Sequence, residues 1–177
     1  MIIGVMAQSV SNCPSSSHFT YSCQFVDQNF DYYVEATIAS GVTVTVRNSI
    51  FNKGLHVVGG SLDFDSVTVN SGLTIVHAVN FTSINGKYIG QSGDTCTHGL
   101  TLDNVTHAYV EGEFIGGNSL NGDGCDGVHA TNFHDVEIKG NSMGGIGYGG
   151  CGGNGVYGNG NGNGDGGSLS VDGDSTG

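Results

Sequence analysis

The sequence predicts an all-β solenoid, and three observations predict it: an excess of glycine, short β-prone runs, and a segment that superposes on its neighbour without a gap. Glycine takes 33 of 177 positions and charged residues make up 11%, whereas ordinary domains carry about 7% glycine and about 25% charge. Such a chain makes many turns and few solvated helices. Valine, threonine, isoleucine, tyrosine and phenylalanine recur in runs bounded by glycine or asparagine, which is the pattern of strands. The strongest signal is the repeat. GLTLDNVTHAYVEGEFIGG (99–117) lies over GVHATNFHDVEIKGNSMGG (127–145), with Leu100 opposite Val128, Asn104 opposite Asn132, Val105 opposite Phe133 and Val110 opposite Ile138.

Three regions follow. Residues 1–40, with the aromatic-rich FVDQNFDYYVEATI, read as an N-terminal capping segment over the first rung. Residues 41–145 read as the rungs themselves: GVTVTVRNSIFNKG (41–54) repeats the same glycine step, another rung starts at Gly54, and Gly72, Gly99, Gly127 and Gly155 fall 27 to 28 residues apart. Apolar residues alternate within each unit, as in Val42, Val44 and Val46, so every second side chain faces inward. A unit of roughly 20–30 residues cannot bury its apolar face alone, and stacking similar units builds a continuous core. Stacking is expected to set Asn104 over Asn132 as an amide ladder and Val105 over Phe133 as a core pair. Residues 146–177 are rich in glycine and asparagine and read as terminal rungs or a tail, with GSLSVDGDSTG echoing GSLDFDSVTVNSG (60–72).

Only Arg47, Lys53, Lys87 and Lys139 are basic, and the formal charge is -12. That balance opposes binding to nucleic acid or to anionic membrane surfaces, and no apolar run approaches the ~20 residues of a membrane span. MIIGVMAQSVSNC, with a small-residue step at Val5 to Ala7, reads as the tail of an export signal without its basic region, or equally as a capping strand. Cys13 and Cys23 bracket a short loop whose closure by a disulfide would contribute roughly 2–3 kcal/mol. Cys96, Cys125 and Cys151 are too far apart for a zinc knuckle; two of them are expected to pair, Cys96 with Cys125 being the assigned pair, with one left free or bonded to another chain. Asn80-Phe-Thr and Asn104-Val-Thr are glycosylation sequons. Together these features place the chain outside the cell.

Asn121-Gly-Asp123-Gly-Cys-Asp126, followed by the alternating HATNFHDVEIKGN, resembles the N-x-D-G-x-D and strand segment of polygalacturonase-type glycosidases, in the pectin-lyase-like superfamily. The resemblance implies a single-stranded parallel β-helix of right-handed sense. It also implies a place for Asp123, with Asp126, in an acid/base constellation. The family's second motif, Gly-Asp-Asp-Cys, falls here on Tyr148-Gly149-Gly150-Cys151, which keeps the cysteine and lacks both carboxylates. Glycoside hydrolysis needs two carboxyl groups. The later Gly-His-Gly and Arg-x-Lys motifs are absent too, and a lyase would need a basic residue beside calcium carboxylates.

Four histidines stand in or beside the repeat. His98 falls opposite Asp126 and His107 opposite Asp135, so hydrogen-bonded pairs across rungs are expected rather than catalysis or metal binding. Asn161, Asn163 and Asp165, then Gly166 and Asp172, have the spacing of a calcium loop, which makes calcium the one candidate cofactor; none is required. Tyr88, Tyr109, Tyr148 and Tyr157 are candidates for sugar stacking or for packing. The threonines of Thr43-Val-Thr45 do not recur from rung to rung, which argues against an ice-binding face. The expected function is a non-catalytic structural or adhesive solenoid that stacks end to end with other copies of itself. The alternatives are a carbohydrate-binding module and a diverged hydrolase or lyase of pectin-type polysaccharides.

Overall fold

The computed structural model describes residues 11–14, 17–160 and 167–177. Among them the chain is all β, without helices. After β1 (Ser11–Asn12), strands come in sets of three: β2 (His18–Phe19), β3 (Cys23–Val26) and β4 (Asn29–Phe30), then β5 (Val34–Ile38), β6 (Thr43–Arg47) and β7 (Ile50–Phe51), then β8 (Leu55–Val58), β9 (Ser61–Asp65) and β10 (Thr68–Asn70). In the following sets the second and third strands fuse: β11 (Leu73–Val76) with β12 (Asn80–Ile89), β13 (Leu100–Asp103) with β14 (His107–Ile115), and β15 (Val128–Thr131) with β16 (Asp135–Met143). The last set is β17 (Val156–Asn159), β18 (Ser168–Asp172) and β19 (Ser175–Thr176).

The strand pairings are parallel throughout, between equivalent strands of successive sets. One seven-stranded sheet holds β2, β5, β8, β11, β13, β15 and β17. The other twelve strands form a sheet that curls, because β12, β14 and β16 turn a corner and pair along both halves. Parallel strands in curled sheets are compatible with a β-solenoid. The register aligns Leu100 with Val128, His107 with Asp135 and Val110 with Ile138, as the gapless repeat requires. Over its described residues the 1–40 segment contributes β1 to β5 to these same ladders.

Corners explain the asparagine and glycine content. Asp27, Asn48, Ser66 and Asn85 turn one corner, and His77, Asn104 and Asn132 another, all with φ between 48° and 57°. Left-handed backbone is least costly for asparagine and aspartate among residues with a Cβ. In the later sets the first corner belongs to glycine. Gly140 has φ 110°, and a Cβ there would stand 2.1 Å from the carbonyl oxygen of Gly112 in the set before, so no side chain fits. The expected amide ladder is replaced by links one set back: Asn104 Nδ2 lies 2.8 Å from His77 Nδ1, and Asn132 Nδ2 donates to Asp103 Oδ1 at 2.9 Å.

The core is the enclosed column of inward side chains. Phe64 meets Phe81 edge-on, with centroids 5.4 Å apart, and Tyr88 stacks on Phe114 at 5.7 Å. Tyr88 is fully buried, so it is a packing residue and not a sugar platform, and its hydroxyl meets Ser83 Oγ at 2.5 Å. Among the described residues no buried side-chain nitrogen or oxygen lacks a hydrogen-bond partner. Cys13 is bonded to Cys23 and Cys96 to Cys125, and Cys151 is free and exposed.

Candidate functional site

The loops that follow β12, β14 and β16 lie in register on one another. Bridges join Gly93 to Ser119 and Ser119 to Gly147, and the Cys96–Cys125 disulfide ties the first loop to the second. Where these loops return to the seven-stranded sheet, two side-chain columns run side by side. His98, Asp126 and Asn154 follow one another at steps of 28 residues. Beside them His129 and Tyr157 are direct register partners on β15 and β17.

Asp126 is 6% exposed and is bonded on both oxygens. Oδ1 accepts the Asn154 backbone N–H at 2.7 Å and its side-chain amide at 3.0 Å, and Oδ2 accepts His129 Nδ1–H at 2.7 Å. Its own N–H donates to His98 Nδ1 at 2.9 Å. That bond assigns the tautomer: His98 Nδ1 carries no proton, so its 3.5 Å approach to Asp126 Oδ2 is not an ion pair. The expected His98–Asp126 pair therefore forms through the aspartate's backbone. Burial would raise the Asp126 pKa, but the hydrogen bonds from His129 and Asn154, with His98 nearby, outweigh it and hold the carboxyl below its ordinary range. Burial, then the neighbouring His129, lower His98, against the opposing pull of Asp126. The rings of His98 and His129 stack at 4.3 Å and those of His129 and Tyr157 at 4.7 Å. His98, Asp126 and His129 also offer ligand atoms within 4.8 Å of one another, the donor set of a metal site.

Asp123 takes a different course. It is exposed, and its Oδ1 accepts the Cys151 backbone N–H at 2.6 Å. Gly150, where the glycosidase motif would carry a carboxylate, lies against it: a Cβ there would stand 2.1 Å from Asp123 Oδ1. The two aspartates of the motif are thus both spent on the backbone of the next loop.

A second cluster lies on the curled sheet. His107 Nδ1 is 3.7 Å from Asp135 Oδ2, His134 meets His107 edge-on at 5.7 Å, and Ser168 Oγ donates to Asp135 Oδ1 at 2.5 Å. The Ser168 bond is the chief reason that the Asp135 carboxyl lies below its ordinary range. A shallow groove of about 160 Å³ runs past Asn80, Thr82, His107, Tyr109, Asp135 and Glu137. Tyr109 lies under Lys139 Nζ, 5.0 Å from the ring centre, while Tyr148 is 65% exposed. Both sequon asparagines, Asn80 and Asn104, are exposed. Of the calcium-loop residues, Asn161, Asn163 and Asp165 lie outside the described residues; Asp172 ends β18 opposite Lys139. At the end nearest the N-terminus, Phe25, Phe30, Phe51 and Leu55, with Gln24, Gln28, Asn29 and Glu35, line a cavity of about 880 Å³, which the aromatic run had marked only as a cap.

Sequence reasoning missed Asn154 and the Tyr157 stack, although the 28-residue step that pairs His98 with Asp126 leads on to both. No family model matches the chain, and neither do curated proteins or solved structures.

Proposed function

We propose that the chain is an exported, non-catalytic structural or adhesive solenoid: a single-stranded, right-handed parallel β-helix of the pectin-lyase-like kind that stacks end to end with other copies. The observation that carries this reading is Asp126. Its carboxylate is bonded to the next loop and to His129 while its N–H is bonded to the loop before, so it joins three successive turns. Oδ1 is held twice by Asn154 and Oδ2 once by His129, so the carboxylate is engaged in holding turns together, and the second carboxyl that glycoside hydrolysis needs is not beside it in the motif. Asp123 is tied to Cys151, with a glycine in place of its partner acid. Two disulfides support an extracellular setting.

The test is a pair of variants, Asp123→Asn and Asp126→Asn, assayed on a panel of pectins and other acidic polysaccharides with melting followed in parallel. The scaffold reading expects no cleavage by the parent chain and a lowered melting temperature for Asp126→Asn. Cleavage abolished by either variant would contradict it. A carbohydrate-binding module is the second reading, favoured by the groove past Asn80, His107, Tyr109 and Glu137. Saturable glycan binding weakened by Tyr109→Ala would support it.

A further inference from the structure

We infer that His98, Asp126 and His129 form a Zn²⁺ site that clips two successive turns of the solenoid together. The inference goes beyond the scaffold reading and does not depend on it.

Two imidazoles and one carboxylate make a ligand set suited to zinc, with water or a fourth group completing the tetrahedron. At zinc–ligand distances near 2.0–2.1 Å, tetrahedral ligand atoms stand about 3.3 Å apart. Asp126 Oδ2 is 2.7 Å from His129 Nδ1 and 3.5 Å from His98 Nδ1, on either side of that value, and all three ligand atoms lie within 4.8 Å of one another, so a small closing movement of the histidines completes the set. His98 Nδ1 accepts the Asp126 N–H and so carries no proton, and the Asp126 carboxyl group acts only as an acceptor, from His129 and Asn154, the forms in which both residues bind metal. Asn154 grips Asp126 Oδ1 twice, which leaves Oδ2 directed at the two histidines in the manner of an outer-shell partner. The histidine side chains are 28% and 29% exposed, so an ion has a path in, and the net charge of -12 favours its approach.

On binding, zinc takes the place of the proton between His129 Nδ1 and Asp126 Oδ2. That proton moves through solvent to His129 Nε2, so the imidazole stays neutral and no net proton is released. His98 Nδ1 exchanges the Asp126 N–H for the metal. The two rings, stacked at 22° to each other, must tilt for their lone pairs to converge. These adjustments weaken the site relative to a preformed one, and they mark His98 and His129 as the residues to change.

The experiment is calorimetric titration of the full chain, stripped with a chelator, with Zn²⁺, alongside the visible spectrum on adding Co²⁺. The expected result is one metal per chain, a Co²⁺ spectrum of tetrahedral intensity, and a rise in melting temperature with Zn²⁺. His129→Gln and His98→Gln should each weaken binding at least about tenfold, while His107→Gln leaves it unchanged. Either histidine variant suffices should the other fail to fold, and the parent's Co²⁺ spectrum is a third, independent reading. Absence of saturable binding by the folded parent, an octahedral Co²⁺ spectrum, or binding that survives both variants would overturn the inference.

Discussion

Asp126, which stands in a glycosidase-like motif in the sequence, is hydrogen-bonded to the turns before and after its own. Its oxygens accept hydrogen bonds from His129 and Asn154, and hydrogen bonds to a charged group are each worth about 1.5–3 kcal/mol. Asp126→Ala is expected to cost about 3 kcal/mol or more, read from denaturant unfolding, because it strands donors on two turns. His98 and Asp126 also make stability fall with acid, in the metal-free protein, for a common reason. His98 is held below its ordinary 6.5, so below that pH the unfolded chain binds a proton that the folded chain refuses. Asp126 is held below its ordinary 3.8, so its contribution is complete above 3.8 and is lost as pH falls through the lower folded value. Melting curves taken from neutral pH downward should decline in two stages, and His98→Gln should remove the earlier one. In the core, burial pushes the Tyr88 phenol far up, and its hydroxyl depends on Ser83. Ser83→Ala strands it and should cost roughly 1–3 kcal/mol in the same unfolding measurement.

At the scale of strands and loops, the repeat was legible and the side-chain bonds were not. Placing Gly99 over Gly127 aligned β13 and β14 with β15 and β16 in the register the structure holds, because inward Leu100, Val110 and their partners alternate and a slip of one residue would turn them outward. The same columns paired His107 with Asp135. Spacing did not say that Asn104 would reach back to His77 rather than across to Asn132, since all three stand at the same left-handed corner, one above another. Nor did it show that Tyr88 points inward while Tyr157 points outward. Gly140 is the element-scale test: its φ of 110° and its approach to Gly112 leave no room for a methyl group. Gly140→Ala should cost more than about 3 kcal/mol, whereas Gly152→Ala, with its nearest neighbour at 3.7 Å, should change stability little.

At the scale of the molecule, burial of the core column falls off at the last described strand set. Val128, Val136 and Ile138 are fully buried, but their register partners Val156 and Leu169 are only partly buried and Val171 is 41% exposed. Among the described residues β17 pairs with β15 and β18 with β16, each on one side. An edge of parallel strand with apolar side chains beneath it is a template for another strand set, and a second copy offering its own first strands would extend both ladders. At the other end the cavity among Phe25, Phe30 and Phe51 presents apolar surface of the same column. Electron microscopy of the purified chain at micromolar concentration is the measurement that bears most directly on this account. It predicts filaments whose axial repeat is a multiple of the ~4.8 Å strand spacing; discrete single particles at every concentration tried would contradict it.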